Sequence, residues 1–258
     1  MAKLLFITGA SSGLGQALAW RFYQAGYSLA LVARRTEEIV AWATSHKMAA
    51  DRYRVYRADV SVIDSIVAAA QACLLEQGLP DVVLACAGIS IGVDTRHRSD
   101  LDVMANTFAT NNIGTAATFH PFLDLMCRRG SGTLVGIGSL NGIRGFAGHG
   151  ANCPSKAALI SYCECLRLEL RGSGVTAVTI SPGYVDTPLT RRNAYSMPFL
   201  MPADRFADKA VAAIEAKVSY RVIPWQMGWL ARLLRVLPNW LFDRIFAGRA
   251  RKPRRSDT

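Results

Sequence analysis

The run "KLLFITGASSGLGQAL" constrains this fold more than any other stretch of the chain. A short apolar segment enters a turn holding Gly9, Gly13 and Gly15, and an amphipathic helix follows at once. Glycines let the backbone turn tightly and leave no Cβ in the way of an approaching phosphate. The helix start offers its unpaired N–H groups and the positive end of its dipole to that phosphate. Ser11, Ser12 and Leu14 fill the turn between the glycines. Three glycines alone are weak evidence. Set between an apolar strand and a helix, they predict a nucleotide site rather than a merely structural turn.

The rest of the chain repeats the alternation. "SLALVA", "RYRVYR", "DVVLAC", "GTLVGIG", "GVTAVTIS" and "YRVI" read as further strands. Helical patterns separate them, from about Thr36 to Lys47, Val62 to Gln77, up to Arg128, from Asn152 onward, and Ala203 to Ala216. Continuous apolar strands between helices imply a parallel sheet covered on both faces. Right-handed crossovers make it a doubly wound α/β sheet of seven strands, with ligands at the carboxyl ends. With 258 residues, 51% of them hydrophobic, one core is enough. The expected division is one domain over residues 1–225 and an amphipathic, basic extension over 226–258.

Composition excludes several classes. Six cysteines and four histidines show no metal-ligand spacing, so no metal site is expected. Cys163 and Cys165 fall on different faces of a helical pattern, as ordinary thiols of a reducing compartment do. "MAKLLFITGA" runs straight into the glycine turn and reads as a first strand, not a signal peptide. The expected location is cytoplasmic. The net charge of +11 gathers toward "RARKPRRSDT". No nucleic-acid module accompanies it, so no nucleic-acid partner is expected.

The Gly-x-x-x-Gly-x-Gly spacing after Thr8 resembles the short-chain dehydrogenase/reductase family, in its classical subfamily. The resemblance runs over about residues 3 to 223 through several ordered motifs. Asp59-Val60 matches the family's adenine-contacting position. "ACAGIS" matches its Asn-Asn-Ala-Gly segment, keeping Ala87 and Gly88 but with Ala85 and Cys86 in place of both asparagines. That departure removes the side chains that brace strand four in the family. "NNIG" puts Asn111 on the family's helix-four asparagine, and Ser139 stands on its catalytic serine. "SPGYVDT" matches the segment that holds the nicotinamide, through Pro182, Gly183, Val185 and Thr187. The resemblance implies a Rossmann-type domain that moves a hydride between a nicotinamide cofactor and a carbonyl or alcohol.

The end of the second strand distinguishes the two nicotinamide cofactors. An acid there accepts hydrogen bonds from the ribose hydroxyls and repels a 2′-phosphate. Here Ala33 occupies that place and Arg34 and Arg35 follow. A guanidinium grips a phosphate through two parallel hydrogen bonds. NADP is therefore expected, with Arg34 as the closer match to the family's phosphate ligand and Ser12 as a second contact.

In the family a tyrosine phenol gives the substrate oxygen its proton, and a lysine four residues later tunes that phenol and holds the cofactor ribose. Ser139, Lys156 and Asn111 match the remaining positions, but the tyrosine position reads Asn152. An amide has no useful pKa near neutrality and cannot deliver a proton. Cys153 is turned about 100° away around the helix, and Pro154 suits a first turn. Asn152 itself would suit a helix N-cap. Two readings follow: a reductase disabled at one position, or a non-catalytic NADP-binding sensor or scaffold.

"PLTRRNAYSMPFLMP" corresponds to the family's substrate-closing segment. Met197, Phe199, Leu200 and Met201 could form an apolar lid over a fairly apolar carbonyl or alcohol; Arg191 and Arg192 read as surface charges. The tail places Trp229, Leu230, Leu233, Leu234, Val236 and Leu237 on one side and Arg232 and Arg235 on the other. It reads either as a packed extension or as a helix lying in a membrane surface, its terminal arginines meeting anionic headgroups. The family's habit of pairing through the Asn152 helix and the helix after "NNIG" implies a homodimer or homotetramer.

Overall fold

Leu4–Thr8 (β1) is apolar along most of its length and buried along all of it, as a strand covered on both faces must be. The computed structural model describes residues 2–191, 196–248 and 251–254. After β1 come Ser28–Ala33 (β2), Tyr53–Arg57 (β3), Val82–Ala85 (β4), Gly132–Ile137 (β5), Val175–Pro182 (β6), Val185–Asp186 (β7), Met201–Pro202 (β8) and Tyr220–Ile223 (β9). Seven of them form one sheet in the order β3-β2-β1-β4-β5-β6-β9, with every pair parallel. The chain reverses its direction of travel across the sheet between β3 and β4, so the carboxyl ends of β1 and β4 bound the ligand crevice.

The helices are Gly13–Gln24 (α1), Thr36–Ser45 (α2), Ile63–Glu76 (α3), Arg98–Phe108 (α4), Gly114–Arg129 (α5), Asn152–Glu169 (α6), Ala203–Glu215 (α7), Trp225–Val236 (α8) and Asn239–Phe246 (α9). Alternate strand residues feed two cores. Leu5, Ile7, Leu29 and Leu31 meet Phe22 of α1 and Phe206 of α7 on one face. On the other, Phe6, Val32 and Val83 meet Ile66 of α3 and Phe122 of α5. The Phe6 and Phe122 rings lie edge to face at 4.9 Å. Truncating such a buried ring costs about 3–5 kcal/mol.

The segment expected to end in one helix near Arg128 resolves into α4, a π-type turn over Ala109–Ile113, and α5. The wide turn carries Asn111, and turns of this kind gather at functional sites. Cys163 is buried and Cys165 exposed, as their spacing predicts. In the substrate-closing segment, β7 and β8 pair to pin its two ends. Phe199 and Leu200 between them are exposed rather than folded down as a lid, and Arg191 is paired with Asp186 at 2.7 Å. Arg192 lies outside the described residues.

The tail is partly packed and partly open. In α8 the small or narrow residues Met227 and Ala231 are buried, while Trp229, Leu233 and Val236 face solvent. Arg144 holds the end of this helix, donating to the Leu237 carbonyl at 2.7 Å. Two of the terminal cations among the described residues are paired with acids. Arg251 pairs with Asp94 at 2.9 Å, and Arg254 grips Asp100 at 2.7 and 3.0 Å. Arg249 and Arg255 lie outside the described residues. No helix among the described residues is long and apolar enough to cross a membrane.

Candidate active site

The glycine turn lies at the carboxyl end of β1, against the end of β4. Gly9 has φ +73°, and a Cβ there would stand 2.8 Å from the Ala87 Cα, so only glycine lets these two chain segments touch. Ser12 occupies the N-cap of α1 but makes no side-chain hydrogen bond to the first turn. The helix N–H groups at that end are therefore left for an external acceptor. Gly13 lies against Thr187, whose Cβ would be 3.3 Å from any Cβ placed there. Thr187 is buried and its hydroxyl lies 3.1 Å from that of Thr190. Gly183 donates to the Ile223 carbonyl at 2.8 Å, which anchors the Pro182–Gly183 step, and Val185 is buried in β7.

Thr8 supplies the brace that Ala85 and Cys86 cannot. Its hydroxyl accepts from the Cys86 and Ala87 N–H groups at 3.2 and 3.3 Å. The sequence motif places Thr8 before the turn, but only the register of β1 beside β4 shows the bond. At the far end, Arg34 reaches Asp59 at 3.5 Å and Arg35 reaches the Ser11 hydroxyl at 3.4 Å. Burial raises the Asp59 carboxyl, but Ser61 donates to it at 2.7 and 2.9 Å and Arg34 adds its charge, so the net pKa is below the usual carboxylate range. Val60 beside it is buried. The two arginines thus differ in what they meet: Arg34 leans on Asp59 and Arg35 on the glycine turn. Of the two, Arg35 is the one that touches it.

Asn111 is fully buried. It accepts from the Ile89 N–H at 2.9 Å and donates to the Ile89 carbonyl at 3.0 Å and to the Ser155 hydroxyl at 2.9 Å. Asn112 donates to the Ser155 carbonyl at 2.8 Å. These bonds weld the π-type turn to α6 and to the loop after β4. Ser155 carries no motif signal, and sequence reasoning missed it. Lys156, one residue on, donates to the Ile137 carbonyl at 2.7 Å. Burial pushes its ammonium pKa down to about 8. Gly88 leaves open the space beside it, since a Cβ there would lie 3.6 Å from the Lys156 Nζ.

Ser139 ends β5's exit, its hydroxyl accepting from the Asn141 N–H at 3.2 Å. Asn152 is the first residue of α6 and is buried. Four residues apart, it and Lys156 share a helix face. The capping role expected of Asn152 is not there: Ala151 holds the N-cap and no side chain caps the helix. Two shallow clefts of about 320 and 240 Å³ flank Gly142 and Ile143, but neither is lined by Ser139 or Lys156.

Residues 3–197 match the family model for short chain dehydrogenases. The chain belongs to that family. An uncharacterized oxidoreductase of Myxococcus xanthus is 38% identical over 244 residues, which cover 93% of this chain and 95% of the relative. A short chain dehydrogenase/reductase from Burkholderia phymatum, solved in complex with NAD, shares the fold at TM-score 0.81 and 22% identity over 90% of this chain and 92% of its own. The closed form of serine dehydrogenase, complexed with NADP+, superposes at TM-score 0.75 and 20% identity, covering 85% of this chain and 94% of its own. Members of the family use nicotinamide cofactors. The residues here fit one: an uncapped helix start, a turn too tight for a Cβ at Gly9, and Arg35 at its edge.

Proposed function

We propose that this chain is an NADP-dependent short-chain oxidoreductase scaffold of the carbonyl reductase or alcohol dehydrogenase type, disabled at Asn152. The glycine turn would hold the pyrophosphate, with Gly9, Ser11, Ser12, Gly13, Leu14 and Gly15 around it. Asp59 and Val60 would face the adenine. Ala87, Gly88, Pro182, Gly183, Val185 and Thr187 would surround the nicotinamide end. Arg34 and Arg35 would receive the 2′-phosphate. When bound, NADPH supplies the hydride.

The remaining steps fall to the chain. The Ser139 hydroxyl orients a carbonyl oxygen. Lys156 holds the cofactor ribose, and its depressed pKa keeps the ammonium poised for proton exchange. Asn111 fixes the loop after β4 against α6. Asn152 donates a hydrogen bond but no proton, so the alkoxide formed by hydride transfer lacks its acid. One observation carries this reading: a buried amide, Asn152, sits four residues before Lys156 on one face of α6.

Asn152→Tyr tests it, assayed by NADPH consumption across a panel of carbonyl compounds. A large gain in turnover supports a disabled enzyme. No gain anywhere on the panel, with NADPH still bound, favours a non-catalytic NADP-binding sensor or scaffold. The family's habit of pairing through α6 and the helix after the Asn111 turn supports a homodimer or homotetramer, and a monomer by light scattering at high micromolar concentration would overturn that assembly.

A further inference from the structure

Residues 251–254 lie across the loops that leave β4 and β5, where a doubly wound sheet holds its substrate. The tail runs between Gly92 and Gly148. Gly92 donates to the Pro253 carbonyl at 3.0 Å and bridges to Arg254, while Val93 bridges to His149. A Cβ on Gly92 would collide with the Lys252 and Pro253 carbonyls, and one on Gly148 would lie 2.8 Å from the Lys252 N. The two glycines form a slot shaped to this strap.

The strap's charges are matched unevenly. Arg251 has Asp94, and Arg254 has both oxygens of the buried Asp100. Lys252 has a hydroxyl: its Nζ donates to the Ser90 Oγ at 2.6 Å, and no ion pair with it is present among the described residues. Burial pushes this ammonium down to about 8, with the Cys153 thiol opposing that shift. Its surroundings identify the place. Ser90 is two residues past Gly88, which faces Lys156. Cys153, which senses the Lys252 charge, is adjacent to Asn152. The N-terminus of the 18-residue helix α6 lies at the same point and favours negative charge.

We infer that residues 251–254 strap the substrate mouth and that Lys252 receives a carboxylate carried by an otherwise apolar carbonyl substrate. This rests on the reading of the site as one for NADPH and a carbonyl compound. A half-buried cation with no acid beside it among the described residues is costly until an anion arrives, and one charge-assisted hydrogen bond then orients the substrate. Tail and cofactor turn are separate elements, so the two readings fail separately.

The Asn152 chain suits the test, because it should hold NADPH and a ketone without turning them over. With NADPH saturating, titration calorimetry compares 4-acetylbenzoate and 4-oxopentanoate with their methyl esters. The acids should bind about tenfold tighter than the esters, the scale of one charge-assisted hydrogen bond. That preference should fade as pH rises through about 8. Lys252→Met should abolish it while leaving NADPH affinity unchanged, and Lys252→Arg should keep most of it. Equal binding of acid and ester, binding of neither, or a preference that survives Lys252→Met overturns the inference. Limited proteolysis of Lys252→Met checks that the strap stays seated; if it detaches, the Lys252→Arg result decides. Failure of NADPH itself to bind overturns the functional reading instead.

Discussion

The Lys156 ammonium donates to the Ile137 carbonyl at 2.7 Å, which holds this lysine in place one helical turn after Asn152. Asn152→Tyr should raise turnover with NADPH by about 10²–10⁴-fold, the range for a positioned general acid. Asn152→Phe, which restores the ring without the hydroxyl, should give none of that gain. The comparison is read from steady-state NADPH oxidation.

Cofactor choice should follow the two arginines. NADPH should bind more tightly than NADH, because each guanidinium can donate charge-assisted hydrogen bonds to the 2′-phosphate. Arg34→Ala and Arg35→Ala should each weaken NADPH about tenfold and leave NADH almost unchanged. Equal affinities for the two cofactors in calorimetry would remove the basis for calling the site NADP-selective.

The outward face of α8 and α9 exposes Trp225, Trp229, Leu233, Val236 and Trp240. Arg232 stacks over the Trp229 ring at 5.2 Å. Aromatic and cationic side chains together suit a membrane interface. The protein is expected to co-sediment with anionic phospholipid vesicles at low salt and to detach as salt rises. Trp229→Ala with Trp240→Ala should release it. Deleting residues 249–258 should matter less than the basic composition suggests, because Arg251 and Arg254 are spent on Asp94 and Asp100. Vesicles left bare by the intact chain would remove the basis for a membrane contact at this face.

Acid should loosen the fold through His149. This residue is buried near Lys252 and Cys153, and burial first, then the Lys252 charge, pushes its imidazole down to about 4 from 6.5. Between those values the unfolded chain binds a proton that the folded chain refuses, so stability falls as pH drops through that window. The loss should be on the order of 2 kcal/mol from pH 6.5 to 4.5. His149→Gln should flatten it in urea titrations. Asp100, held down to about 2 mainly by Arg254, gives its own loss only below about pH 4.

The parallel sheet and the glycine turn were legible in the chain because both depend on local features. Apolar runs of strand length and glycines at set spacing act within a few residues, and so do the missing acid at Ala33 and the amide at Asn152. The position of a helix-face pair four residues apart is local too. Other features came from contacts distant in sequence. Thr8 braces Cys86 from 78 positions away, Asn111 finds Ser155 across 44, and Arg254 reaches Asp100 across 154. The tail illustrates the limit most plainly. Its amphipathic pattern was readable, but periodicity gives a helix two faces without saying which one is buried. Only the packed structure shows that Met227 and Ala231 of α8 fit against the body of the protein, that its tryptophans are left outside, and that Arg251 and Arg254 turn inward. A charge is drawn to whichever carboxylate the fold brings near, and that proximity is a property of the tertiary structure alone.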